Sequence, residues 1–224
     1  MFTTPVFIQN PVKQIGYTHK IMFTGSCFSE NVGSKMSASK FQVQINPFGI
    51  LYNPISLSGS IMRLLKGNLF RKEELSYDQG RFFSFSHHGK FDHPSADVCL
   101  KNINASLLSG HEFLKKASFL FLSLGSAFVY QHQTAGIVGN CHKMDSRKFR
   151  QALLSVEECT ESLETALRPL LEINPEIQCI FTISPVLYVK EGAHFNRLSK
   201  ATLLLAAESL CQKFPGNTGY FPNC

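Results

Sequence analysis

The chain has 224 residues, of which 44% are hydrophobic and 17% charged, with a formal net charge of +6. That suffices for one large globular domain with a sizeable core and excludes a low-complexity or disordered chain. Lys and Arg are scattered with no run longer than two, which argues for solubility or an acidic substrate and against a nucleic-acid footprint.

Residues 1 to 20 read as an extended lead-in. Residues 21 to 27 form the first strong strand, an apolar run that stops at Gly25. Residues 29 to 39 form a helix, and Phe41-Gln42-Val43-Gln44-Ile45 alternates as a second strand. Two Asn-Pro pairs, Asn46-Pro47 and Asn53-Pro54, flank Gly49 and mark a shaped loop. Ile55 to Leu65 has helical spacing, with Gly67 as its stop. Residues 70 to 98 are irregular, aromatic and rich in histidine, and Ala105 to Lys116 is amphipathic. Ala117 to Leu124 is a near-continuous apolar run, the mark of a strand buried in a parallel sheet. Glu157 to Leu171 is a helix that Pro169 should bend or end. Ile177 to Ser184 is another buried strand, and Leu198 to Cys211 is a helix with Leu203, Leu204, Ala207 and Leu210 on one face.

Strands alternating with helices give an α/β fold with a parallel sheet. Such sheets bind ligands at the carboxyl ends of their strands. Gly25-Ser26-Cys27, Gly125-Ser126 and Ser184-Pro185 should therefore share one rim. On the first of these turns a hydroxyl and a thiol sit side by side, just before a segment that can open a helix. The free N–H groups there would favour a thiolate or a developing oxyanion. An inert cysteine between a strand and a capped helix fits the same residues.

These residues carry a family resemblance. Gly25-Ser26-Cys27-Phe28-Ser29 resembles the signature of the GSCFA family, with Ser29 where the family name has Ala. Asn46-Pro47-Phe48-Gly49 through Tyr52-Asn53-Pro54, Phe83-Ser84-Phe85 with His87-His88, and Gly139-Asn140-Cys141-His142-Lys143 agree with it. So do Phe181-Thr182-Ile183-Ser184-Pro185-Val186, Gly192-Ala193-His194, and the run Leu198 to Ala206. The resemblance implies a single domain over 1–224 of the SGNH or GDSL hydrolase type, a flavodoxin-like three-layer α/β/α sandwich with a parallel central sheet. It implies a hydrolase of acyl or acetyl esters, acting on small-molecule or carbohydrate esters, with no cofactor and no metal. A non-catalytic ligand- or carbohydrate-binding domain, or an inactive remnant of such an enzyme, is the alternative.

Laid on the superfamily pattern, Cys27 matches the nucleophile and Ser26 is its one-residue alternative. Gly49 is the candidate oxyanion donor of the second block, Gly125 keeps the glycine of the third, and Asn140 would supply the missing amide from the next loop. The fourth block, an Asp-x-x-His pair near the C-terminus, departs from the pattern. Glu191-Gly192-Ala193-His194 imitates its spacing but matches an earlier motif of the family. A missing C-terminal part is the expectation, and His142 and His194 are the candidate bases.

His87, His88 and His93 with Asp92 form a dense polar group. Neighbouring histidines in an extended loop point to opposite sides, so no metal site is assigned there. Cys99, Cys159, Cys179 and Cys211 read as small core hydrophobes. Lys143 and Lys200 read as solvated. Seven cysteines without a CxxC pair suit a reducing compartment. With no basic leader and no apolar run of membrane-spanning length, the chain reads as cytoplasmic, with no membrane partner. Nothing in the sequence sets its oligomeric state.

Overall fold

A computed structural model describes residues 13–187 and 192–222. In chain order the elements begin with β1 (Lys20–Gly25), α1 (Cys27–Ala38), β2 (Gln42–Ile45) and α2 (Pro54–Lys66). A hairpin of β3 (Ser76–Asp78) and β4 (Arg81–Phe83) precedes α3 (Ala96–Leu114). Then come β5 (Phe119–Leu124), β6 (Phe128–His132), β7 (Gly136–Val138) and β8 (Phe149–Leu153). The chain continues through α4 (Val156–Ile173), β9 (Gln178–Ile183), α5 (Gly192–Lys213) and β10 (Thr218–Tyr220).

The central sheet is parallel throughout, in the order β2-β1-β5-β9-β10. Numbered within the sheet this is 2-1-3-4-5, the flavodoxin-like order. The direction of winding reverses between β1 and β5, so their carboxyl ends open the crevice where such sheets hold ligands.

The two faces of the sheet are covered unequally. Met22, Leu120, Leu122, Leu124, Cys179 and Phe181 point to one face and join a single core with Leu57 and Ile61 of α2, Ile103 and Leu107 of α3, Leu163 and Leu167 of α4, and Leu203 and Leu210 of α5. Ile21, Phe23, Phe119 and Ile180 point to the other face, where α1 brings Val32 and Met36. The alternation follows from the two-residue period of strand side chains. Gly33 lets α1 lie close on the sheet, since a Cβ there would come within 2.8 Å of the Ile45 side chain.

Several sequence expectations need correction. Residues 70 to 98 are not wholly irregular. Gln79 and Gly80, both with positive φ, close the β3–β4 hairpin, a turn that suits the twist of its strands. α3 starts at Ala96, nine residues before the expected amphipathic stretch, because Ala96 and Cys99 are buried and extend its inner face. Pro169 does not end α4, which runs on to Ile173; Leu163, Ala166, Leu167 and Leu170 are buried on one stripe and hold the helix through the proline. The antiparallel sheet β7-β6-β8 and the three-residue β10 were not foreseen. β1 stops at Gly25 and α1 opens at Cys27, one or two residues before the expected start.

Candidate functional site

The site is built on the turn that joins β1 to α1. Gly25 has φ +125, and a Cβ on it would lie 2.1 Å from the carbonyl oxygen of Ser123 in the neighbouring strand. Only glycine fits both the conformation and the space. Gly25→Ala is therefore expected to lower stability by about 3 kcal/mol or more, read as a shift in the urea midpoint.

Ser26 is fully buried. It caps α1, its hydroxyl accepting from the Phe28 N–H at 3.3 Å, and the same oxygen lies 2.6 Å from Ser123 Oγ. Its backbone N–H donates to Ser123 O at 2.9 Å. The hydroxyl thus ties β1, α1 and β5 together. Cys27 is the first residue of α1 and is partly exposed. Its N–H lies at the helix start, where no preceding turn can accept it.

The loop after β2 crosses the carboxyl ends of β1 and β5. Asn46, in the left-handed region at φ 43, sends its N–H to Phe23 O, and its side-chain Oδ1 accepts from the Gly25 N–H at 2.9 Å. Leu51 N–H donates to Gly25 O, and Tyr52 O accepts from the N–H groups of Gly125 and Ser126. Asn53 then caps α2 by accepting from Ser56 N–H at 2.8 Å, with Pro54 in the first turn. The two Asn-Pro pairs thus have distinct tasks: one turns the loop over the strand end, the other starts a helix.

That loop fixes the amide orientation of Asn46. A backbone N–H can only donate, so Oδ1 must face Gly25 and Nδ2 must point away. Asn46 is 1% exposed, and Nδ2 has no hydrogen-bond partner. Tyr52 lies beside the thiol turn. Burial, and then the negative charges of Cys27 and Glu30, hold its phenol above the ordinary range.

The remaining expected residues fall in four places. Gly49 has φ +77, and a Cβ on it would lie 2.3 Å from His88 Cβ; its N–H donates to Asn46 O. The Gly125 N–H is engaged by Tyr52 O. Asn140 and His142 lie farther along, beyond His88. Asn140 Oδ1 accepts from the His142 N–H at 2.7 Å. The His142 side chain is 1% exposed, with Nδ1 3.0 Å from Asp92 Oδ2 and Nε2 3.1 Å from Ser84 O. A carbonyl only accepts, so Nε2 carries hydrogen, and the ring stacks on Phe83 at 4.2 Å. His194 is exposed at the start of α5, against Phe195. Glu191 lies outside the described residues. Among the described residues no hydrogen bond joins the Cys27 sulfur to an imidazole.

Three residues that sequence reasoning left aside belong to this region. Lys200, read as solvated, places Nζ 2.5 Å from Gly125 O. Ser199 Oγ accepts from the Ala127 N–H at 2.8 Å, so α5 docks on the turn after β5. His88 donates its N–H to Phe48 O, and its Nδ1 accepts from Lys90 N–H at 3.2 Å. Burial first, then Lys90, holds its imidazole below the ordinary value, against an opposing pull from Glu30 and Asp92. The only sequence signal for Ser199 and Lys200 was their place in a run shared with the family.

The thiols differ in burial. Burial pushes Cys159 and Cys179 up to about 12 and also raises Cys99 and Cys211. Among the described cysteines Cys27 and Cys141 are, with Cys211, the ones that are partly exposed.

The sequence model of the GSCFA family matches residues 20–223. Among the curated proteins, and among the solved structures, nothing matches the chain. No helix among the described residues is long and apolar enough to cross a membrane.

Proposed function

The chain belongs to the GSCFA family, and on that footing we propose that it is an SGNH-type acyl hydrolase whose nucleophile is the Cys27 thiolate. The observation that carries this reading is the contrast within one turn. Cys27 is partly exposed at the first position of α1, at the crevice between β1 and β5, whereas Ser26 is fully buried with its hydroxyl engaged.

The thiolate adds to the carbonyl carbon of an acyl or acetyl ester, on a small molecule or a carbohydrate. The Cys27 N–H, at the start of α1, meets the oxyanion. The C–O bond breaks, the alcohol leaves with a proton from solvent, and a thioester remains on Cys27. Water then cleaves the thioester, releasing the acid and restoring the thiol. No cofactor enters these steps.

A second reading, a non-catalytic ligand-binding domain, is favoured by the lack of a hydrogen bond between Cys27 and an imidazole among the described residues. One experiment separates the two. The protein is incubated with an aryl acetate and quenched in acid, and its peptides are mapped by mass. An acetyl group on the Cys27 peptide that disappears on standing supports the hydrolase. An adduct elsewhere, or one that never turns over, supports the binding domain.

A further inference from the structure

We propose that the cavity between the β3–β4 hairpin, residues 88–92 and the 140–143 loop binds the phosphate of a phosphorylated ligand. The cavity has a volume of about 610 Å³ and presents Arg81, Lys90 and Lys143. Its two carboxylates each face a basic group: Asp92 Oδ2 lies 3.0 Å from His142 Nδ1, with Oδ1 buried and without a hydrogen-bond partner, and Asp78 lies 3.7 Å from Lys148. No ion pair among the described residues engages Arg81, Lys90 or Lys143. Three cations therefore face one cavity without an acidic partner.

The backbone holds these cations in place. Arg81 Nη2 donates to the Asp92 carbonyl, which fixes the guanidinium at the cavity wall and leaves its other N–H groups free to bind. His142 and Lys143 both have positive φ, at 49 and 56, a conformation that non-glycine residues adopt only where the surroundings impose it. The His142 contacts to Asp92 and Ser84 supply that constraint and set the direction in which the chain carries Lys143. One planar fork and two point charges suit a phosphate dianion better than a single carboxylate. The volume exceeds that of a phosphate group, so an organic body fits beside it, against Phe83.

His88 connects this cavity to the thiol turn. It lines the cavity, packs on Gly49 and lies within the field of Glu30, which is one helical turn from Cys27. The bound phosphate would then belong to the ester that Cys27 attacks; this substrate role rests on the thiol reading, whereas phosphate binding does not.

The test is titration calorimetry of the full chain with inorganic phosphate and with phenyl phosphate, using succinate as the comparison. Wild type is expected to bind both phosphates saturably. Arg81→Gln should weaken them at least tenfold and Lys143→Gln about threefold; both side chains are exposed, so melting temperatures should be unchanged. Phosphate binding that is absent, or equal in wild type and both variants, overturns the proposal. Succinate binding as tightly as phosphate overturns the phosphate assignment. Binding without turnover of any ester rejects the thiol reading and leaves the site standing. Turnover with the same KM for neutral and phosphorylated aryl esters rejects the substrate role alone.

Discussion

Cys27→Ala is expected to lower kcat/KM for aryl esters by at least about a thousandfold, or about 4 kcal/mol of transition-state stabilisation, while leaving the fold intact. The side chain sits at a helix start and is partly exposed, so its loss opens no deep cavity. Ser26→Ala should do the reverse. It removes the cap of α1 and leaves Ser123 Oγ without its 2.6 Å partner, costing about 1–3 kcal/mol of stability. Turnover per folded molecule should fall far less. Kinetics and urea midpoints measured on the same preparations check this. Activity tracking the folded fraction in both variants would remove the thiol from the chemistry. Activity lost with Ser26 but kept without Cys27 would move the nucleophile one residue back.

Cys27→Ser refines the result. A hydroxyl in the same place is a weaker nucleophile without a general base. Since no imidazole is hydrogen-bonded to Cys27 among the described residues, the serine variant is expected to stay close to the alanine variant.

The central strands of the parallel sheet were readable because they are buried on both faces. Ile21-Met22-Phe23, Phe119 to Leu124 and Ile177 to Ile183 are apolar runs that no other element explains. The small antiparallel pieces were not readable for the opposite reason. β6 and β8 are half exposed and mix Arg, Gln and His with Phe, so their alternation is weak. Gln79-Gly80 was a turn signal of the ordinary kind, but three-residue strands on either side carry too little pattern to claim it. The loop 46–53 was legible as a loop and not as a bridge. The bonds from Gly125 and Ser126 to Tyr52 O are made by backbone atoms over seventy residues apart and leave no mark on side-chain choice. His142 was legible as a polar residue near the rim. Its burial against Phe83 and Asp92 depends on a hairpin the sequence did not announce.

His87 shows how far such burial goes and gives the largest stability effect expected of a single ionisable group. It is fully buried, parallel to Phe48 at 4.4 Å, with Phe70 and Phe91 at its edges. Neither ring nitrogen has a hydrogen-bond partner. Burial first, then the charges of His142, Arg63 and Lys90, lowers its pKa from 6.5 to about 3. The folded state therefore holds His87 neutral across a range where the unfolded chain protonates it. Between about pH 6.5 and pH 3 the unfolded state binds the extra proton, so stability rises with pH and is lost as pH falls. A fall from 6.5 to about 3 is worth at most about 5 kcal/mol, comparable to the whole stability of many domains. His87→Phe and His87→Leu both remove this proton. Urea midpoints of wild type and each variant, taken every half pH unit from 7 to 4, isolate the histidine from carboxylates that titrate in the same range. The variants should gain on wild type steadily as pH drops below about 6.5, and both should match or exceed it at pH 7 once the unpartnered nitrogens are gone. Phe risks crowding the stack and Leu loosening it, but either packing cost is constant with pH and shifts the curve without changing its slope. Parallel curves for wild type and both variants would mean that His87 is solvated or paired in solution and that the aromatic pocket does not hold it neutral.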